Sequence, residues 1–213
     1  MKQNTEELIK KHAYFNRKFF ARWARLYDYE KYILFPIRKR AAELMDLPVG
    51  NKIIDVATGT GAQSCMLAKQ GYNVVGLDLS PEMLEQAKKK LLPSLPLRFI
   101  HADATDIPFA ANTFDGASIS LCLHDMPYEI RLLVLKEMKR VVKPNGHIMI
   151  IDYREPQHGL RAYLLHLIVR KLETPMYQDF IKRGLDSHLK TVHLKPFRQK
   201  IIWGSIQVKV YKN

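Results

Sequence analysis

Small and acidic residues recur at the predicted carboxyl ends of three short apolar strands. Gly59 and Gly61 follow the first strand, Asp78 follows the second and Asp103 follows the third. Two glycines let the backbone turn tightly, and the N-terminus of the next helix offers free N–H groups to a carboxylate or phosphate. Asp78 could accept hydrogen bonds from both hydroxyls of a ribose, and Asp103 with the Ala104 backbone could meet an adenine edge. Together these residues indicate a nucleotide-like ligand.

Asp55 helps to decide which class of nucleotide this is. The dinucleotide fingerprint G-x-G-x-x-G/A would fall on Gly59, Gly61 and Ser64, and a small serine does not exclude it. Asp55 lies four residues before Gly59, inside a strand end, where a carboxylate is costly unless it is used. It would repel a pyrophosphate and could hold a cation or an ammonium group. An NAD-dependent oxidoreductase or a non-catalytic nucleotide-binding module therefore stays only as an alternative.

The elements that must position these residues alternate along the chain. Strand, helix and strand at this spacing predict βαβ units with right-handed crossovers and a parallel sheet. Ligands bind such sheets at the carboxyl ends of the strands. The predicted strands are 52–56, 73–77, 97–101, 114–121 and 147–152, and the predicted helices between them are 62–70, 81–91 and 128–142.

The end of the chain departs from this alternation. Residues 190–196 and 204–211 alternate like strands with no long helix between them, so they predict an antiparallel hairpin at one sheet edge. Residues 155–186 are helical in pattern. We expect a single domain with four parts: an N-terminal helical cap (1–46), a cofactor-binding core (47–153), a helical insertion or lid (154–189) and a C-terminal hairpin (190–213).

Four motifs occur in order along the middle of the chain: 55–61, 76–84, 103–109 with 113–115, and 142–147. As a set they resemble class I S-adenosylmethionine-dependent methyltransferases, and they are similar to the ubiquinone/menaquinone biosynthesis (type 11) members. The resemblance covers roughly residues 50–152. It implies a Rossmann-like α/β fold: a doubly wound, mostly parallel seven-stranded sheet with an antiparallel C-terminal hairpin and helical additions.

The resemblance also implies roles for the loop after the first strand. Asp55, with the backbone of Ala57 and Gly59, would hold the methionine part of S-adenosylmethionine. Thr58 belongs to the same cofactor-binding loop, and Gly61 would allow the cofactor a close approach.

Further cofactor contacts follow from the second and third strands. Asp78 would bind the ribose, Leu79 and Met83 would flank the adenine, and Asp103 with Ala104 would face its amino group.

Four residues are placed less directly by the resemblance. The backbone around Ser120 and Leu121 would line the sulfonium side of the cofactor. Tyr27, in a segment similar to the Tyr-Asp entry of the same relatives, would close over the cofactor, although simple helix packing is its alternative. Arg38 would also reach the site.

His124 is the candidate catalytic residue. Methyl transfer from a sulfonium is an in-line displacement, and a base is needed only if the acceptor must lose a proton. His124 lies in the segment that follows the fourth strand, beside the expected methyl position. Histidine titrates near neutral pH, and Asp125 or another carboxylate could orient the ring. Its alternative is a loop histidine bonded to backbone.

Tyr153 and Arg154 are weaker candidates for substrate contact. The Asn/Asp-Pro-Pro-Tyr/Phe tetrapeptide is absent, which argues against amide or adenine N-methylation.

Charge and composition restrict the partners. The net charge is +13, with +7 in residues 1–40, −2 in 41–153 and +8 in 154–213. Basic flanks attract nucleic acid, anionic lipid or an acidic small substrate, or simply keep the protein soluble.

No apolar run could span a bilayer and the N-terminus has no signal-peptide core, so we expect a cytoplasmic protein with peripheral membrane contact. Cys65 and Cys122 suit buried small hydrophobes, and no spacing indicates a metal site.

Two flanking segments bear on the acceptor. Residues 159–173 carry one apolar stripe, which predicts a helix packed on the sheet, a lid over a lipophilic acceptor, or an interfacial helix on anionic membrane. Residues 14–31 mix basic and aromatic side chains, which also suits RNA, although no RNA-binding module is recognisable. The sequence favours a small lipophilic or acidic acceptor over RNA, DNA is not expected, and the oligomeric state stays open.

Overall fold

The computed structural model describes residues 6–14, 30–157, 159–172 and 174–213. Helix α1 covers residues 6–14. The other helices are α2 (Glu30–Leu44), α3 (Ala62–Lys69), α4 (Pro81–Lys88), α5 (Tyr128–Val141), α6 (Leu160–Leu172), α7 (Pro175–Arg183) and α8 (Leu185–Thr191). The strands are β1 (Lys52–Val56), β2 (Asn73–Asp78), β3 (Leu97–His101), β4 (Phe114–Ser120), β5 (Val142–Tyr153), β6 (Lys195–Ile202) and β7 (Ile206–Lys212).

The seven strands form one sheet in the order β3-β2-β1-β4-β5-β7-β6. Strands β1 to β5 run parallel, and β7 is antiparallel to both β5 and β6. The strand order changes direction between β1 and β4, which makes this the topological switch point where open α/β sheets bind ligands. The predicted fold class, with its antiparallel C-terminal hairpin, is confirmed.

Core side chains cover both faces of the sheet. Ile54 of β1 belongs to a buried cluster with Leu135 of α5, whereas the adjacent Ile53 belongs to a second cluster with Ile37 of α2 and Leu67 of α3. Successive residues of a strand point to opposite faces, so a continuous apolar run in β1 needs helices on both sides. This is the physical basis of the doubly wound arrangement.

Local signals set the boundaries of α4. Ser80 is its N-cap, and the Ser80 hydroxyl accepts a hydrogen bond of 3.2 Å from the backbone N–H of Met83, with Pro81 at the first helical position. The helix ends at Lys88, three residues before the predicted end at Leu91.

The first strand of the predicted hairpin was misplaced. Residues 190–196 alternate because Val192 and Leu194 are buried in the core cluster of α5 and α8, not because they form a strand. Helix α8 continues to Thr191 and β6 begins only at Lys195. Upstream, β5 begins at Val142, five residues before its predicted start, and it contains Asn145 in a left-handed conformation with φ of 63°.

Helix α6 contradicts the expectation that its apolar stripe packs on the sheet. The stripe is exposed to solvent and includes Leu160, Tyr163, Leu164, Leu167 and Ile168. Among the described residues, no helix is both long and apolar enough to cross a bilayer. The division of the chain into cap, core, lid and hairpin stays a prediction.

Candidate functional site

A cavity lies at the carboxyl ends of β1, β2 and β4, beside the switch point. It comprises about 1110 Å³ of space between protein atoms, part of it open to solvent. All predicted cofactor-binding positions among the described residues line it except Gly61. Tyr27 lies outside the described residues, so its closing role stays a prediction. The parallel strands thus bring together residues that are far apart in the chain.

Asp55 lies at the floor of the cavity, and its side chain is held by three hydroxyl groups. Thr58 and Ser64 each donate a hydrogen bond of 2.7 Å to Asp55 Oδ2, and Ser118 donates to Oδ1. Only 1% of Asp55 is exposed. Burial raises the pKa of this carboxyl, although the bonds from Ser118, Ser64 and Thr58 oppose the rise. Asp55 therefore holds the glycine loop in place through Thr58 and also lines the cavity.

Asp78 connects the glycine loop to the start of α4. Its Oδ2 accepts a hydrogen bond of 2.7 Å from the Gly59 N–H, and its Oδ1 accepts one of 2.9 Å from the Ser80 N–H. Burial raises the pKa of Asp78, the backbone donors lower it, and the nearby Asp55 raises it further. Each carboxylate oxygen keeps a free lone pair, so Asp78 could still accept hydrogen bonds from the two hydroxyls of a diol in the cavity.

Asp103 lines the cavity close to helix α1. Its Oδ1 accepts two hydrogen bonds of 2.8 Å from Thr105, one from the backbone N–H and one from the hydroxyl. His12 of α1 also lines the cavity; burial lowers the pKa of His12, and the negative charge of Asp103 opposes that shift. The third-strand aspartate and an N-terminal histidine thus share one wall.

The two glycines of the loop have different surroundings. A Cβ added to Gly59 would meet no atom within 4 Å, and Gly59 lines the cavity with φ of 56°. A Cβ added to Gly61 would come within 2.6 Å of Phe99 and 3.0 Å of Ala87. Gly61 therefore lets the loop pack against β3 and α4, while Gly59 leaves space in the cavity; the expected role of Gly61 in cofactor approach stays a prediction.

Two polar atoms at the cavity wall are buried and without a hydrogen bond from the described residues. They are Ser120 Oγ at the end of β4 and Gln63 Oε1 in the first turn of α3. A buried polar atom without a partner costs free energy, so such atoms mark places where a bound molecule could supply the missing partner. Both atoms fit a ligand with N–H or O–H groups.

His124 is buried behind this wall rather than lining it. The ring is 3% exposed, its Nδ1 lies 2.7 Å from Asp152 Oδ1, and its Nε2 lies 3.5 Å from Asp125 Oδ2. The imidazole makes edge contacts with Tyr153 and with Tyr177 of α7. Asp152 is thus the closer carboxylate, whereas the sequence pointed first to Asp125. Its role as a base stays a prediction.

The sequence did not single out Arg131 of α5 as a site residue. In the structure its side chain is fully buried. Its Nε donates a hydrogen bond of 2.9 Å to the Leu123 carbonyl, and its guanidinium also donates to the carbonyl of Met176 and to Asp179. The arginine therefore ties the short 3-10 turn at Leu123–Asp125 to α7.

Other cavity residues were missed as well. His12 had no sequence signal, because a lone histidine in a polar helix predicts nothing. Gln63 had one, because it is an uncharged polar residue two positions after the glycine loop; in the structure it is 1% exposed. Cys122 lines the cavity too; burial raises the pKa of its thiol well above the usual value, so it stays neutral. Neither cysteine, Cys65 or Cys122, is in a disulfide within the described structure.

Comparison with protein families identifies the central part of the chain. Residues 54–150 match the family model described as a methyltransferase domain. This range is therefore similar to methyltransferase domains. The resemblance seen in the four sequence motifs is thereby confirmed, and the matched range contains Asp55, Asp78 and Asp103.

The chain is also similar to curated proteins named demethylmenaquinone methyltransferase. The protein of Paenarthrobacter aurescens is 39% identical over 159 residues, which are 75% of this chain and 56% of that protein. The protein of Bacillus licheniformis is 37% identical over 155 residues, 71% of this chain and 65% of that protein. The protein of Clavibacter sepedonicus is 39% identical over 120 residues, 55% of this chain and 48% of that protein. The matches thus span about half to two thirds of these relatives' length.

Solved structures share the fold at low sequence identity. A chain from a complex between the Haloferax volcanii Trm112 methyltransferase activator and a putative methyltransferase superposes with a TM-score of 0.74 at 19% identity, covering 91% of this chain and 96% of that one. A SAM-dependent methyltransferase from Aquifex aeolicus gives 0.64 at 21% identity, covering 82% and 88%. A Burkholderia thailandensis 1,6-didemethyltoxoflavin-N1-methyltransferase gives 0.70 at 18% identity, covering 96% and 89%.

Proposed function

We propose that this chain is an S-adenosylmethionine-dependent methyltransferase that acts on a quinone-type small molecule. The observation that carries the proposal is the convergence of Asp55, Asp78 and Asp103 on one cavity beside a glycine loop, within a methyltransferase domain. The acceptor class is supported by the name of the curated relatives, demethylmenaquinone methyltransferase.

The cavity residues fit the chemical groups of S-adenosylmethionine. Asp78 would accept hydrogen bonds from the ribose hydroxyls, and Asp103 would face the adenine. Asp55 would act on the methionine part, mainly through the loop that it holds. Ser120 Oγ and Gln63 Oε1 are two further polar atoms that a ligand with N–H or O–H groups would satisfy. When bound, S-adenosylmethionine supplies a methyl group activated by the positive charge of its sulfonium.

The acceptor side needs a nucleophile and a route for one proton. A quinone ring is electron-poor, so we propose that its reduced quinol form is methylated. A bond forms between a ring carbon and the methyl carbon while the carbon–sulfur bond breaks, and the ring carbon then loses its proton. His124 is our candidate acceptor for this proton, with Asp152 orienting the imidazole through the contact of 2.7 Å. The chain's other task is to align the reactants and exclude water.

We also propose that the protein works in peripheral contact with a membrane. A quinone-type acceptor is apolar enough to dissolve in lipid, and both flanks of the chain are basic, with +7 in residues 1–40 and +8 in residues 154–213.

Two measurements test the proposed function. Isothermal titration should detect binding of S-adenosylhomocysteine and none of NADH; binding of NADH alone would contradict the cofactor assignment. Labelled S-adenosylmethionine should then transfer its methyl group to a chemically reduced demethylated naphthoquinone and not to the oxidised form. Transfer to RNA instead, with binding that weakens steeply as salt rises, would replace the quinone acceptor by a polyanionic one.

A further inference from the structure

Helix α6 has five large apolar side chains on the outside. With about 100° between successive residues, its exposed apolar residues fall within an arc of about 140°, and the buried Ala162 and His166 lie on the opposite side. A helix that packs on a sheet shows the reverse arrangement. We call this surface the α6 apolar face; its residues and their exposed fractions are Leu160 (74%), Tyr163 (54%), Leu164 (50%), Leu167 (37%) and Ile168 (57%).

Polar contacts on the inner side of α6 hold this orientation. His166 is 8% exposed, and its Nδ1 lies 3.0 Å from the hydroxyl oxygen of Tyr177 in α7. Tyr177 is itself 1% exposed and its ring contacts the imidazole. If α6 rolled to bury its apolar face, it would break this bond and expose the tyrosine. The outward face is therefore a property of the packed molecule.

The surroundings of the face are positively charged. Helix α6 contains no acidic residue, and its last turn carries Arg170 and Lys171, both exposed. Arg170 also lines a shallow depression with Lys182 of α7. Two carboxylates, Glu155 and Asp179, line the same depression, but Asp179 is already paired with two arginines. An apolar surface next to cations is complementary to a surface that combines acyl chains with phosphate groups.

We propose that the α6 apolar face docks on an anionic phospholipid surface. The apolar side chains would enter the boundary between headgroups and acyl chains, while Arg170, Lys171 and Lys182 would meet lipid phosphates. The inference rests on the proposed function for its purpose, since it brings the methyltransferase domain to a lipid-dissolved acceptor. A second copy of the chain suits the face less well, because a symmetric contact there would bring these cations close to those of the other copy.

Vesicle binding tests the docking surface directly. The full-length protein is incubated with phosphatidylcholine vesicles, with or without phosphatidylglycerol, and sedimented. We expect binding that requires phosphatidylglycerol and weakens with added salt. Leu164→Glu should lower the vesicle affinity by about tenfold or more, because it replaces an inserted apolar side chain by a charged one. The double variant Arg170→Gln, Lys171→Gln should lower the affinity by about fivefold for each charge removed.

Leu92→Glu is the matched control. Leu92 is 54% exposed, close to the 50% of Leu164. It precedes β3 and so lies towards the amino ends of the parallel strands, whereas the cavity lies at their carboxyl ends. It should leave vesicle binding unchanged, and both variants should keep the wild-type unfolding midpoint. Equal binding by the Leu164 variant would overturn the proposal. So would concentration-dependent self-association without lipid that Leu164→Glu abolishes, since a second copy would then occupy the face.

The activity assay separates this inference from the proposed function. If methyl transfer fails with every quinol but anionic vesicles still bind through Leu164, the proposed acceptor is wrong and the docking surface stands. If transfer succeeds equally with Leu164→Glu and wild type on a vesicle-embedded quinol, the docking surface is wrong and the activity stands. Transfer to a detergent-dissolved quinol should be the same for both proteins.

Discussion

The Nδ1 atom of His124 lies 2.7 Å from Oδ1 of Asp152, and this contact joins the turn after β4 to the end of β5. Asp152 also accepts the backbone N–H groups of His124, at 3.3 Å, and of Tyr153, at 2.8 Å. Asp152 is fully buried. One carboxylate therefore fixes the turn that directly follows the cavity wall at Ser120 and Leu121.

Asp152→Asn should destabilise the fold. An amide keeps only one acceptor atom where the carboxylate receives three N–H groups, so we expect the free energy of unfolding to fall by about 1–3 kcal/mol. Urea unfolding measures this change. Asp186→Asn is the control, because the Asp186 side chain is 60% exposed and its ion pair with Lys209 should contribute no more than about 1 kcal/mol. Equal midpoints for wild type and Asp152→Asn would show that the contact is not stabilising.

His124→Gln tests the base. If His124 accepts the proton, the turnover rate should fall by about 100-fold or more, while the dissociation constant for S-adenosylhomocysteine changes little. His147→Gln removes another buried imidazole, which contacts the Met45 carbonyl and is paired in register with Gly116 near the start of β4; it should leave turnover nearly unchanged. A rate for His124→Gln close to wild type would mean that transfer proceeds by alignment alone.

Asp78→Ala should weaken cofactor binding. Loss of the hydrogen bonds from the ribose to a charged acceptor should cost about 1–3 kcal/mol in the binding of S-adenosylhomocysteine, measured by titration calorimetry. Asp115→Ala serves as the control, since Asp115 pairs with Lys143 at the start of β4, away from the cavity. Unchanged affinity in a folded Asp78→Ala variant would show that the ribose assignment is wrong.

Cofactor affinity and stability should respond to pH in opposite directions at Asp78. Burial raises the pKa of Asp78, so on acidification it loses its charge at a higher pH than an exposed aspartate does. Affinity for S-adenosylhomocysteine should therefore begin to fall above the usual aspartate range.

The unliganded protein should show the opposite trend. A raised folded-state pKa stabilises the fold below the unfolded-state value near 3.9, and this contribution is lost as pH rises through the raised value. Asp78→Asn should flatten both curves. Any slope that remains in this variant belongs to the other groups whose pKa values are shifted by folding, which include Asp55 and His12 at the cavity. Identical slopes in wild type and Asp78→Asn would contradict the assignment.

Gly61→Ala should affect stability more than binding. Its Cβ would meet Phe99 at 2.6 Å, and its φ of 77° strains any other residue, so we expect a loss of about 1–3 kcal/mol in urea unfolding. Adding Phe99→Leu should recover the part due to crowding. Gly59→Ala should show the reverse balance, with a smaller loss of stability and a larger loss of cofactor affinity, because its Cβ would enter the cavity. The same balance in both variants would contradict the separate roles.

Most of the fold and of the cavity could be predicted because both depend on short-range patterns. Strand β1 is an apolar run that ends at a glycine loop, and parallel strands place their carboxyl ends at one edge. Residues at those ends, such as Asp55, Asp78 and Asp103, must therefore converge even though they are distant in the chain. Their types then indicate the ligand.

Two features of the site depended on contacts that no local pattern specifies. The partner of His124 is Asp152, 28 residues away, because β4 and β5 are neighbours in the sheet. Gly61 serves packing because Phe99 of β3 fills the space beside it.

Helix α6 shows most clearly what the sequence determines and what only the tertiary structure decides. Periodicity in the sequence determines that one side of the helix is apolar, but it does not determine where that side points. The tertiary structure decides this, because His166 and Tyr177 form a buried polar contact that the helix keeps only with its apolar face turned to the outside.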